Sequence, residues 1–322
     1  MIAGLSSGRG RLPAWLRLTW TAPAGPGRLA LFRIAVGGYV TVYLLARLPR
    51  LWADAGRDPD TFFPVGVTSM LSGPVAPGLA RLLLVLAVVG GALVTAGWRY
   101  RIVAPAAAAL VWWVLTYRNS FGSVLHTDNL AVLHLALLAL VPAAEARSLD
   151  ARRRGGSAGP PPSPAYRWPL ALAALLTTLP YVVAAVAKFR LAGLDWLDGE
   201  VLRTHVALDN LRKDALGDPS SPVGEWLVRR AWPWPALVAV ALAVEVGAPL
   251  AVLGRRLRLV VPAALWCFHV GILVVMAILF PYHLVGVAFL PMLLLGERAS
   301  ARVPPNEPEN GSRTGIAVGS SR

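Results

Sequence analysis

The chain has 322 residues, of which 56% are hydrophobic and only 15% charged. Soluble domains carry about 25% charged residues, so a water-facing globule is excluded, as are collagen, disulfide-scaffold and disordered chains. The net charge of +14 does not point to a nucleic-acid partner, because the basic residues sit mainly in short segments between apolar runs, as orientation in a bilayer requires.

Residues 1–27 carry Arg9, Arg11, Arg17, Trp15 and Trp20 without an apolar stretch, which is not the pattern of a cleavable signal. Residues 12–20 instead read as a basic and aromatic segment lying along the membrane surface. The first apolar run, 29–48, reads as an uncleaved signal anchor. Further runs follow at 78–98, 102–117, 125–143, 168–188, 234–253, 259–280 and 282–295. About 20 residues are needed to cross roughly 30 Å of hydrocarbon. The expected fold is therefore all-α, a polytopic transmembrane helical bundle of about eight spans. Pro105, Pro180, Pro249 and Pro262 lie inside the runs; neighbouring helices satisfy the backbone groups that proline frees. The ten-residue alternation of a membrane barrel is absent.

The expected organisation is a cytoplasmic segment 1–27, one membrane domain 28–297 and a disordered cytoplasmic tail 298–322. Within the domain, 152–164 is a basic Gly/Pro-rich linker and 189–233 an extracytoplasmic segment between spans five and six. That segment contains an amphipathic pattern over 199–216, with Val201, Leu202, Val206, Leu208 and Leu211, stopped by Gly217 and Pro219. Arg99, Arg101, Arg152, Arg153, Arg154, Arg255 and Arg256 fall on one side of the expected topology. The short loops of the other side hold only Arg47, Arg50, Arg57, Arg81 and Arg118. Arginine retention inside predicts a multi-pass protein of the cell membrane with both termini cytoplasmic.

Ionisable groups inside a bilayer are expensive and nominate function. Arg33 opens the first span, either snorkelling to the headgroups or paired with a buried carboxylate. Glu245 lies mid-run and needs a proton or a partner, with Arg33, Arg118 and Lys188 as candidates. Tyr181, Ala184, Ala185 and Lys188 share one helical face by their spacing. Lys188 is there either a base with an available amine or the polar end of its span. His134 and His269 lie inside spans, where a lone histidine most often hydrogen-bonds between helices. Cys267 reads as a small buried hydrophobe. No zinc-site, phosphate-loop or serine-nucleophile motif is present, so no metal is expected.

Several landmarks occur in order: LALFRIAVG with Arg33, then Phe63-Pro64, YRNSFGSVLHTDNL, YVVAAVAKFRLAGLDWLDGEVLRTH and FHVGILVVMAILFPYHLVGVAFLP. Together they resemble the HTTM family, the membrane domain shared with the vitamin K-dependent gamma-carboxylases, over about residues 25–295. The most specific part is Tyr181, Lys188, Trp196 and Gly199. In the carboxylases the matching lysine is implicated as the base coupled to vitamin K hydroquinone oxidation. The resemblance therefore implies Lys188 as candidate base, Trp196 and Gly199 shaping the turn beyond it, and a quinone or vitamin K-type quinol as cofactor. This chain reads His126-Thr127-Asp128-Asn129 near where the carboxylases carry Asn-Asn-His, and their large lumenal region, which would begin about where this sequence ends, is not expected here. Glutamate carboxylation of a protein is accordingly not the expected activity.

Three functions follow from these readings. The first is a quinone-linked modifying enzyme with Lys188 as base. The second is a non-enzymatic membrane protein assisting maturation or export of a secreted peptide or protein. The third is a small carrier using Glu245 and Arg33 as an intramembrane relay.

Overall fold

Proline at or next to the first helical position starts most of the long helices, where its missing N–H leaves no bond unmade. The computed structural model describes residues 19–122, 124–156 and 159–295. Its first half contains α1 (Pro26–Ala46), α2 (Leu48–Asp54), α3 (Pro77–Ala96), α4 (Tyr100–Asn119), α5 (Asn129–Ala139) and α6 (Leu149–Arg153). Its second half contains α7 (Trp168–Ala192), α8 (Glu200–Leu216), α9 (Pro222–Val228) and α10 (Trp234–Gly247). These are followed by α11 (Leu257–Met276), α12 (Pro281–Leu284) and α13 (Leu290–Leu294). No strand is found among the described residues, only an isolated bridge between Ala24 and Ser163. That bridge pins the far end of the Pro-rich linker through two backbone hydrogen bonds of 3.0 and 3.1 Å.

Six helices are long and apolar enough to cross a membrane: α1, α3, α4, α7, α10 with its 3-10 continuation Ala248–Val252, and α11. Two of the eight apolar runs stop short. The run 125–143 yields only the 11 residues of α5, because Pro142 disfavours helix in the residue before it. The run 282–295 breaks at Gly286, where φ is +79°, into α12, a 3-10 turn Val287–Phe289 and α13. The surface reading of 12–20 falls largely outside the described residues, and the tail 298–322 wholly outside them.

Small residues let the first group of helices approach closely. A Cβ on Gly37 would lie 2.7 Å from Thr95 Oγ1, one on Gly90 2.9 Å from Ala107 Cβ, and one on Gly91 2.7 Å from Thr41 Oγ1. Helices α1, α3, α4 and α5 thus pack together, and one apolar core continues into α7, α11 and α13. Asp150 caps α4 from a distance, accepting the N–H groups of Arg99 (2.9 Å) and Tyr100 (2.8 Å).

Arg33 neither snorkels nor meets a carboxylate. Its side chain is fully buried and donates to the carbonyls of Val94 (2.6 Å), Thr95 (2.5 Å), Ala143 (3.0 Å) and Arg147 (2.7 Å). One guanidinium thus closes the end of α3 and the turns after α5, where carbonyls run out of helical donors. His134 has a similar binding role, with Nδ1 2.8 Å from Tyr282 Oη and Nε2 3.1 Å from the Ala173 carbonyl. It fastens α5 to α7 and α12, as expected of a lone span histidine.

The amphipathic pattern at 199–216 forms α8, but its inward face differs from the apolar stripe. Leu208 and Leu211 are exposed, whereas Val206, Asn210 and Lys213 are buried. The reason is hydrogen bonding: Lys213 donates to the Met276 carbonyl at the end of α11, and Asn210 exchanges two bonds with the backbone of Ser221. Ser221 in turn donates to the Val274 carbonyl (2.6 Å). The segment is therefore bolted to the open carbonyls of α11. Cys267, expected inside, is exposed, on a helix surface that a bilayer covers.

Candidate functional site

Helix α7 is propped at Pro180 and runs to Ala192, ending in the 3-10 turn Gly193–Asp198. This turn folds Trp196 back toward the helix that carries Lys188. The indole packs with Ala185, Val238 and Leu242, and the Lys188 ammonium sits 5.6 Å from its ring centre, a cation–π arrangement. From the facing helix α10, Glu245 accepts a hydrogen bond from Lys188 Nζ through Oε1. The glutamate side chain is 4% exposed and the lysine 20%. Of the three cations considered for Glu245, the structure selects Lys188.

Arg33 and Arg118 are engaged elsewhere. Arg33 is used by backbone carbonyls, so an Arg33–Glu245 relay is not assembled. Arg118 forms a second buried ion pair, with Asp128 at 2.9 Å, supported by Tyr43 Oη at 3.3 Å. Asp128 was not nominated by sequence. The one available signal was its place in the departure from Asn-Asn-His.

Gly199 acts on the site through backbone shape. Its φ is +85°, and a Cβ there would lie 2.5 Å from the Trp234 carbonyl carbon. The turn bearing Trp196 can reach the start of α10 only with glycine at this point. Gly199→Ala is expected to cost about 2–3 kcal/mol through strain and overlap, seen as a lower melting temperature of the detergent-solubilised protein. A melting temperature equal to the native one would show that the turn relaxes freely.

Two turns into the helix from Lys188, Tyr181 Oη lies 2.8 Å from His269 Nε2 on α11. Tyr181 thus ties α7, the helix that carries Lys188, to a cluster of aromatic rings on α11 and beyond. His269 stacks on His283 at 4.1 Å between ring centres, with Phe268, Phe280 and Phe289 around them. Four buried polar atoms in this region have no hydrogen-bond partner: Glu245 Oε2, Trp196 Nε1, His269 Nδ1 and His283 Nδ1. Most buried polar atoms in proteins are paired. These four atoms are therefore free to take a further hydrogen-bond partner. No three His, Cys, Asp or Glu side chains are grouped for metal binding among the described residues.

A model of the HTTM domain matches residues 21–294, most of the chain. The chain belongs to the HTTM family. Curated proteins and solved structures give no match. Within this HTTM domain the residues singled out by sequence divide into two sets. Lys188, Tyr181, Trp196, Gly199, Glu245 and His269 lie where α7 meets α10 and α11, whereas Arg33 and His134 fasten the bundle elsewhere. The protein is an integral, multi-pass membrane protein, and the HTTM helices present their exposed apolar residues to lipid.

Proposed function

We propose that this HTTM protein is a quinone-linked modifying enzyme in which Lys188 takes a proton from a lipid-soluble quinol. The observation that carries the reading is the Lys188–Glu245 pair, nearly closed off from solvent beneath Trp196. A lysine is a base only as the free amine. Glu245 supplies the route: a proton passing from Nζ to the carboxylate leaves both groups neutral. That transfer is favoured wherever water is excluded, because two buried charges are costly. The amine then accepts a proton from a hydroxyl beside it, and the unpartnered Oε2 of the protonated Glu245 can accept a hydrogen bond that holds the ring in place. A quinol supplies that acidic hydroxyl and two electrons. The unpartnered polar atoms and surrounding aromatic rings suit such a ring, and the gamma-carboxylases that the sequence resembles use a lysine for the same purpose.

Orientation supports the reading as well. With eight spans, arginine retention inside gives cytoplasmic termini and sets the Lys188 end of α7 toward the outer face, an orientation that belongs to this proposal. There a membrane-borne quinol meets a secreted peptide or protein as the molecule to be modified. The test is Lys188→Arg in nanodiscs supplied with a reduced naphthoquinone and dioxygen. Arginine keeps the charge and the bond to Glu245 but gives up no proton near neutral pH. Quinol oxidation is expected to fall at least about 100-fold, the scale of a lost general base, while melting temperature and yield hold. Turnover equal to that of the native protein would refute Lys188 as base.

A further inference from the structure

Between α11 and α12 the chain leaves helical geometry at residues 277–280, entered through Ala277 with φ +50°. Phe280 of this break is half-buried and covers two histidines, its ring centre 4.8 Å from that of His269 and 5.7 Å from that of His283. Both imidazoles are more than nine-tenths buried. They stack on each other at 4.1 Å with an angle of 28°. Phe289 approaches them at 6.4 and 5.8 Å, and Phe268 approaches His269 at 5.7 Å. Tyr181 takes up His269 Nε2, yet Nδ1 of each ring is buried without a partner. Sequence gave His283 no role beyond its position near a span end.

We propose that His269 and His283 hold an oxygen of a planar, lipid-soluble ring of the para-quinone class through their Nδ1 atoms, with Phe268, Phe280 and Phe289 as its apolar surround. This rests on the quinol reading of Lys188 and adds where the ring is gripped. Three features select this ligand class. An imidazole nitrogen suits a carbonyl or hydroxyl oxygen, as donor or acceptor according to tautomer. The walls are aromatic, so they favour a flat apolar body over a sugar or a free anion. The break at 277–280 contains exposed Leu279 and is followed by exposed Val285, apolar residues on a surface that a bilayer covers, so a lipid-soluble ring suits it better than a water-borne one. Tyr181, which bonds His269, sits on α7 seven residues before Lys188, so the grip and the proton-handling pair share one helix.

The experiment measures binding of a short-chain 1,4-naphthoquinone to the full-length protein in nanodiscs by quenching of tryptophan fluorescence. His269→Gln and His283→Gln are each expected to raise Kd about tenfold, the scale of one well-made hydrogen bond in a buried site. Phe280→Ala keeps both imidazoles and removes their cover, and it is expected to raise Kd at least about threefold with little change in melting temperature. This variant decides the matter if the histidine variants fail to fold. Native binding with all three variants within about twofold of it overturns the histidine grip and leaves the Lys188 reading standing. No binding by the native protein overturns the quinone reading, and the grip falls with it.

Discussion

Arg33→Met is expected to lose most of the folded protein, destabilising it by about 3–5 kcal/mol, the scale for opening a buried charged hydrogen-bond network. The guanidinium is fully buried and donates to four carbonyls contributed by α3 and by the turns after α5. Methionine fills the volume but withdraws the guanidinium from all four carbonyls, of which only that of Val94 keeps another donor, the Gly97 N–H at 3.1 Å. Lysine restores the charge and not the geometry, since its ammonium is a point donor where the guanidinium is a fork. Arg33→Lys should therefore recover only part of the loss. Thermal unfolding in detergent, with yield by size exclusion, reads the series. A snorkelling arginine would behave differently, with lysine equal to arginine and methionine nearly neutral. That outcome would show that the four bonds do not hold the bundle.

The same residue shows how far the sequence is legible. Hydrophobic runs and proline positions were enough to place the helices, because those signals are local. The helix at Glu200–Leu216 and its stop at Gly217 were also readable. Its buried face was not, since Lys213 and Asn210 point inward to meet carbonyls of α11, a partner 63 residues along the chain in the case of Met276. Helix length was not legible at 125–143 and 282–295, where apolar content continues but Pro142 and Gly286 interrupt the backbone. At the site, Tyr181, Lys188, Trp196 and Gly199 came as an ordered set on one stretch of chain. Their partners did not. Glu245 lies 57 residues from Lys188 and His269 lies 88 from Tyr181, and three cations were equally eligible for one carboxylate. Only packing chooses among them.

The Lys188–Glu245 pair separates structural from chemical roles through a double-mutant cycle. Lys188→Met strands a carboxyl group that is only 4% exposed, whereas Glu245→Gln strands an ammonium that is 20% exposed and still has the face of Trp196. The first change is expected to cost about 3–5 kcal/mol and the second less, because removing one partner leaves the other charge buried and uncompensated. Joining the two changes removes both charges, and the double variant is expected to recover most of the summed loss of the single ones. Replacement of a buried pair by neutral groups is often harmless to stability, so the double variant should reach near-native melting temperature in detergent. Quinol oxidation should stay lost in it, since neither methionine nor glutamine accepts the proton. If stability and turnover both returned, the pair would be a fastening between α7 and α10 and nothing more. If stability failed to return, the contact would owe its strength to packing around Trp196 rather than to charge.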